Sequence, residues 1–424
     1  MTTAVFQTPR GMHDALGVTF RRKASLLKIF HQTAYLFGCQ GVETPLVEER
    51  GLFERSVALS DIVMKEMFQL ETRREKEPAS QHTKHYVLRP EGTAPLMRAM
   101  LQNGLTQSLP LRWCYDGPMF RYDRPQKGRL RQFHQVGIEL LGSDSFLMDV
   151  EAIQCAVHFL KKLNLSEQPT LFINSLGDVE SRMAYKAALQ AFLQPYEKEL
   201  SPESQARLHT NPLRILDSKS TADQALLKEA PLVADFFTKE ATAFFENVCQ
   251  TLQDVGIAFK HDPKLVRGLD YYTQTAFEFK VASLGAQDTV LGGGRFDGLS
   301  QLLGGPAIPG VGWAAGVERL LLLMPQEDVR ASLVAFLPLA SEDISEGLKQ
   351  TALLRAQGVP LLWLSQPAAL PKRLKKAHQQ GITFVLIFGG QERAEGCIQL
   401  KDLESGTQQK LPLDALASHL KTLL

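Results

Sequence analysis

A chain of 424 residues has room for two or three domains. At this length folding buries about three quarters of the unfolded surface, so no disulfide or metal is needed to hold the cores together. Forty-seven Lys and Arg stand against 46 Asp and Glu, a net charge of +1, which excludes a polyanion-coating protein or an acidic tail protein and confines any nucleic-acid contact to local patches.

With 44% apolar and 22% charged residues the chain is too apolar to be disordered. Its longest apolar run, VGWAAGVERLLLLM, carries Glu318 and Arg319 and falls short of the ~18 residues of a membrane helix, so no membrane partner is expected. The N-terminal MTTAVFQTPRGMHDALG lacks a basic stretch followed by an apolar one, which gives no expectation of export or organelle import. Five scattered cysteines without a C-x-x-C pair suit a reducing cytoplasm and offer no zinc site.

In chain order, Leu26, Leu27, Phe30, Ala34 and Phe37 recur on one face and predict a helix over 20–37 that stops at Gly38. VETPLV follows as an extended segment, and the polar stretch 71–86, interrupted by Pro78, predicts a loop or hairpin between two strands. From 110 to 141 short apolar runs flank a cationic stretch, the pattern of two antiparallel strands and a charged loop. Between about 175 and 257 the pattern turns helical, with Val233, Phe236, Phe237, Phe244, Phe245, Val248 and Leu252 at helix spacing before Gly256. FEFKVA and TVLGGG are strand-like, GVGWAAGVERLLLL passes into a helix, and 324–330 is the best linker. Beyond it strands and helices alternate, predicting a small α/β domain with a mild basic excess.

The densest chemistry lies in FRYDRPQKGRLRQFHQ (120–135), where Arg121, Arg124, Lys127, Arg129 and Arg131 oppose only Asp123. On a hairpin such a set suits phosphates, although a charge run is also what a solvated loop presents. In LVRGLDYYTQTAFEF, Arg267 sits between apolar residues and needs an anion, either a phosphate or the nearby Asp270. LRPEGTAPLMRA places Glu91 and Thr93 at a helix start, where Thr93 serves as a simple N-cap or Glu91 meets a substrate ammonium. LGGGRFDGL allows close backbone approach to a ligand. Pro306 and Pro309 break the strand that a dinucleotide fingerprint at GVGWAAG requires, and neither a phosphate-binding lysine loop nor H-E-x-x-H appears.

Taken together, GVETPLVE, FRYDRPQKGRLRQFHQ and GVGWAAGVERLLLL resemble motifs 1, 2 and 3 of class II aminoacyl-tRNA synthetases. VRGLDYYT and GGGRFDGL resemble the two peptides peculiar to the histidyl-tRNA synthetase family, and TNPLRILDSK is similar to part of its insertion. The resemblance implies an α+β fold: a catalytic domain over 1–325 on a six-stranded antiparallel sheet, a helical insertion at about 175–257, and an anticodon-binding α/β domain over 329–424. It also implies a homodimer through motif 1, and the activation of L-histidine by ATP with Mg²⁺ to histidyl-adenylate before transfer to tRNA(His).

By the same resemblance Arg121 and Arg267 grip the α-phosphate, with Arg129 and Arg319 at the outer phosphates. Asp123 stands where the family usually has an adenine-contacting glutamate, and Leu291 and Phe296 stand where alanine and tyrosine are commoner. Glu139 and Tyr272 match the readers of the imidazole, with Tyr271 beside them, while Glu91, Gly92, Thr93 and Gln135 match the amino-group side. Gln126, Lys127 and Arg131 match the loop that meets the tRNA acceptor stem, and KRLKK (372–376) offers phosphate contacts to the anticodon arm or a solvated helix face. A catalytically silent relative, the histidine-binding regulatory subunit of ATP phosphoribosyltransferase, is the alternative; it usually lacks the C-terminal domain and the intact arginine peptide, both present here.

Overall fold

The computed structural model describes residues 6–56, 66–71, 85–126, 128–216, 218, 220–266, 271–325, 333–364 and 368–423. The chain divides into two compact units, Met1–Gln326 and Glu327–Leu424. The expected loop at 71–86 and the expected linker lie largely outside the described residues. Among the described residues no helix is long and apolar enough to cross a membrane.

The first unit opens with α1 (Gly17–Leu36), β1 (Gln40–Gly41), β2 (Val47–Glu49), α2 (Arg50–Ser56), β3 (Gln69–Leu70), β4 (Tyr86–Leu88) and α3 (Thr93–Gln102). The long hairpin β5 (Leu111–Phe120) and β6 (Gln132–Leu141) follows, then α4 (Leu147–Lys162) and β7 (Thr170–Ser175). A helical stretch holds α5 (Val179–Leu193), α6 (Pro202–Leu208), α7 (Thr221–Leu226) and α8 (Lys239–Asp254). The unit closes with β8 (Lys260–His261), β9 (Thr273–Lys280), β10 (Thr289–Arg295), α9 (Leu299–Leu302), β11 (Gly310–Gly316) and α10 (Val317–Leu323).

Its main sheet has the order β1-β5-β6-β11-β10-β9-β7-β8. The six inner strands are antiparallel, and each edge adds a two-residue strand in parallel. Those edges were not expected, because two residues carry no alternation to read. Period-two geometry sends Cys114 to one face and Trp113 and Tyr115 to the other. The first face is covered by α1, α4 and α8 around Phe30, Phe159 and Trp313, the last two stacked at 5.9 Å. The second face packs on α2 and α3 and holds the cavity described below. Arg295, fully buried, ties β10 to α4 through an ion pair with Asp149 and to the carbonyls of Ser143 and Ser145.

One long helix through 233–252 does not form. Residues Val233–Phe236 make a single tight turn, and α8 begins afresh after Thr238. Thr238 caps α8, and its hydroxyl also donates to Asp178, which caps α5, so the two helix starts are locked together. The apolar residues accordingly split: Val233, Phe236 and Phe237 belong to the core of the helical stretch, and Phe244, Phe245, Val248 and Leu252 pack on the main sheet's core.

The second unit comprises β12 (Leu333–Pro338), α11 (Ile344–Ala356), β13 (Leu361–Trp363), α12 (Leu370–Gln379), β14 (Ile382–Phe388), α13 (Gly390–Ala394), β15 (Cys397–Asp402), β16 (Gln408–Pro412) and α14 (Leu416–Leu423). Its sheet order is β13-β12-β14-β15-β16, parallel over the first three and antiparallel after. Phe336 and Trp363 stack at 5.3 Å in its core.

The helical stretch is organised on one buried carboxylate. Asp223 accepts from the hydroxyls of Ser201, Ser204 and Ser218 and from Ser201 N–H. Burial pushes its pKa up, but these hydrogen bonds outweigh it and hold the carboxyl below its ordinary value. Its stabilisation is therefore present above the unfolded carboxyl pKa and lost as pH falls through the depressed folded value. Asp223→Asn should cost about 1–3 kcal/mol locally and abolish that acid sensitivity, read as hydrogen exchange of residues 201–227 against pH. Unchanged protection contradicts the assignment.

Candidate active site

A cavity of about 350 Å³ opens on the second face of the main sheet. At one end Glu139 rises from β6, in register with Gly312 on β11 and Trp113 on β5. A methyl group on Gly312 would collide with the Glu139 carboxylate and the Ile138 carbonyl, so the glycine is the space in which the carboxylate sits. Thr93 Oγ1 donates to Glu139 Oε1 at 2.6 Å, while Oε2 is buried with no partner among the described residues. Burial pushes Glu139 well above the usual carboxylate range, against the Thr93 hydrogen bond, and the neighbouring Glu91 charge adds to the push.

Glu91 is the true cap of α3. Its carboxylate accepts from the N–H groups of Thr93 at 2.7 Å and Ala94 at 2.9 Å, with Gly92 at the N-cap position and Thr93 already in the first turn. Thr93 is thereby freed to hold Glu139, which corrects the expectation that it caps the helix. The Tyr271 and Tyr272 rings lie 4.8 Å apart and tilted at 49° beside this end, and Tyr271 meets Phe296 edge-on at 5.9 Å. Gln135 lines the same wall with its Oε1 buried and unpartnered among the described residues.

The other end is cationic. Arg121, just beyond β5, donates from Nε to Pro90 O at 2.9 Å and lies 5.3 Å from the Phe133 ring centre. Arg129 pairs with Asp123 and stands 3.6 Å from Glu66. Arg319, on α10, donates to Gly128 O at 3.1 Å and Thr289 O at 2.5 Å. Burial lowers the basicity of Arg319, and the charges of Arg129 and Arg121 lower it further, which places three guanidinium groups within electrostatic reach of one another. An anion entering here relieves that repulsion.

Asp123, expected at adenine, is engaged by Arg129 and also accepts from Arg124 N–H at 2.6 Å. Gln126 and Arg129 exchange backbone hydrogen bonds across the hairpin tip. The Arg131 guanidinium lies 3.8 Å from the Tyr122 ring centre, and its backbone N–H donates to Gly11 O. Lys127, Arg267 and Asp270 lie outside the described residues. Leu291 lines the cavity. The wall also holds Tyr115, Phe133, Glu278, Thr289 and Glu318, which the sequence reading did not single out. Alternation along β5 was the available signal for Tyr115, since Trp113 shares its face. Among the described residues no cluster of His, Cys, Asp and Glu is placed to hold a metal ion.

The arrangement suits an elongated ligand with phosphates at the arginine end and hydrogen-bonding nitrogen at the carboxylate end. Comparisons with known proteins give the family. The profile of the histidyl-tRNA synthetase family matches residues 11–320, and that of an anticodon binding domain matches 334–423. The chain is 42% identical to a histidine–tRNA ligase of Gluconobacter oxydans over 412 residues, 97% of each chain. It is 43% identical to one of Gluconacetobacter diazotrophicus over 415 residues, 98% of each chain. The crystal structure of apo S. aureus histidyl-tRNA synthetase superposes with a TM-score of 0.81 at 30% identity, covering 98% of this chain and 100% of that one.

Gly312→Ala should displace the Glu139 carboxylate and destabilise the first unit by about 1–3 kcal/mol, seen as a lower thermal midpoint. An unchanged midpoint contradicts the close packing of Glu139 on that glycine.

Proposed function

The chain belongs to the histidyl-tRNA synthetase family, and from that membership we propose a residue-level account of its reaction. It is a histidine–tRNA ligase, a class II aminoacyl-tRNA synthetase that uses ATP. The observation that carries the account is a single cavity whose one end gathers Arg121, Arg129 and Arg319 and whose other end presents Glu139, Thr93, Tyr271 and Tyr272.

The histidine carboxylate is ionised near pH 7, so it attacks the α-phosphorus of ATP without a general base. A carboxylate oxygen bonds to phosphorus as the bond to the bridging oxygen breaks, giving histidyl-adenylate and pyrophosphate. What the protein supplies is in-line positioning and positive charge. Arg121 and, by resemblance, Arg267 hold the α-phosphate, and Arg129 and Arg319 hold the outer phosphates. Glu278 and Thr289, oxygen donors on the nearby wall, would hold the Mg²⁺ that accompanies ATP, which would supply further positive charge at the phosphates. The terminal adenosine of tRNA(His) then attacks the activated carbonyl and AMP leaves.

Glu139 and Tyr272 read the imidazole, while Glu91, Thr93 and Gln135 hold the ammonium. Buried polar groups that only histidine satisfies reject isosteres strongly. By resemblance Gln126, Lys127 and Arg131 belong to the loop that meets the acceptor stem. On α12, Lys372, Lys375 and Lys376 are exposed and Arg373 turns inward to Pro338 O and Leu364 O, which supports an anticodon-arm contact by the lysines. We assign residues 1–325 to catalysis, with the insertion at about 175–257, and 329–424 to the anticodon. Exposed Leu46 and Val47 in motif 1 support a homodimer, and five free thiols support a reducing cytoplasm. The regulatory-subunit alternative gains no support of its own from the full-length relatives.

Two substitutions test the two ends separately. Glu139→Gln should weaken histidine binding at least about tenfold, and unchanged affinity removes its imidazole role. Arg267→Ala should slow adenylate formation by about 10²–10³ while histidine still binds, and near-normal activation removes its phosphate role.

A further inference from the structure

Arg89 lies between β4 and the Pro90–Glu91 turn and is only 3% exposed. Its Nε donates to Pro118 O at 3.1 Å, and its Nη1 donates to Thr44 O at 2.8 Å and Thr44 Oγ1 at 2.9 Å. Its backbone N–H donates to Leu46 O at 2.8 Å, and its carbonyl accepts from Phe120 N–H at 3.0 Å. One residue thus joins the motif 1 segment 44–46 to the end of β5, where motif 2 begins. The very next carbonyl, that of Pro90, is the one that holds Arg121 Nε.

The hairpin is shaped around this side chain, because a methyl group on Gly117 would strike the Arg89 guanidinium. The acceptors in its hydrogen bonds are carbonyl and hydroxyl oxygens. Burial lowers the basicity of this guanidinium even though the Glu43, Glu48 and Asp116 charges offset part of the cost, and an apolar filling of such a space is often no less stable. What an apolar side chain does not supply is three directed hydrogen bonds that fix the Pro90 turn.

We infer that Arg89 is a positioning residue for adenylate formation, acting through the Pro90 carbonyl to set the Arg121 guanidinium against the α-phosphate. The inference rests on the phosphate role given to Arg121 above. Glu91, on the same turn, keeps its two hydrogen bonds to the α3 N-terminus, so the effect of Arg89 falls on the ATP side more than on histidine.

The test compares Arg89→Lys and Gly117→Ala with Arg121→Ala in the full-length chain. Lysine keeps the charge but loses the fork, and the alanine displaces the guanidinium without altering it. Histidine-dependent pyrophosphate exchange is measured per active site, counted by the pyrophosphate burst, with histidine affinity measured separately without ATP. Arg89→Lys and Gly117→Ala should each lower kcat/KM for ATP per site by about 10–100-fold and leave histidine affinity within about threefold. A purely structural role instead lowers the number of active sites and leaves per-site kinetics normal, which overturns the inference, as does an equal loss of histidine affinity. If Arg121→Ala retains exchange, the phosphate role of Arg121 fails and the inference with it. If Arg121→Ala loses exchange while the other two variants keep it, the inference about Arg89 fails alone.

Discussion

Three guanidinium groups held on one wall are the constraint around which the catalytic unit is built. Arg121, Arg129 and Arg319 come from the end of β5, the hairpin loop and α10, and their charges repel one another. Repulsion alone would splay such side chains into solvent. Backbone carbonyls prevent it: Pro90 holds Arg121, and Gly128 and Thr289 hold Arg319. Asp123 and Glu66 balance Arg129. These contacts hold the cations in place before an anion arrives, and such preorganisation is what makes electrostatic stabilisation of a transition state large.

The opposite end works by a different physical rule. Glu139 Oε2, Gln135 Oε1 and the Tyr115 hydroxyl are buried without partners among the described residues. Each unpaired group costs about 1–3 kcal/mol until a ligand satisfies it. A ligand that matches all of them gains that energy, and one that matches some leaves the rest stranded, so discrimination does not depend on size alone. Gly312 makes the arrangement possible by yielding the space that the Glu139 carboxylate occupies.

Sequence pattern conveyed the elements that repeat a period over many residues. The β5–β6 hairpin was readable because short apolar runs flank a cationic stretch, and each run forms a strand of ten residues. Arg121 and Arg129 stood out as members of a cationic hairpin stretch, whereas Arg319 was reached only through the resemblance to motif 3. What escaped was set by tertiary contacts. The break before α8 depends on Thr238 reaching Asp178, sixty residues away. Glu91 displaces Thr93 as the cap, and the Thr93 hydroxyl goes instead to Glu139 on β6. The Asp123–Arg129 ion pair joins two residues across the hairpin, which no local pattern shows.

The central claim is that one cavity brings a histidine-reading end and a phosphate-gripping end together for adenylate formation. Its most direct measurement is pyrophosphate exchange into ATP, with each of the twenty amino acids in turn and no tRNA present. The account predicts exchange with histidine alone. Exchange with another amino acid at a comparable rate, or bound histidine without exchange, contradicts it.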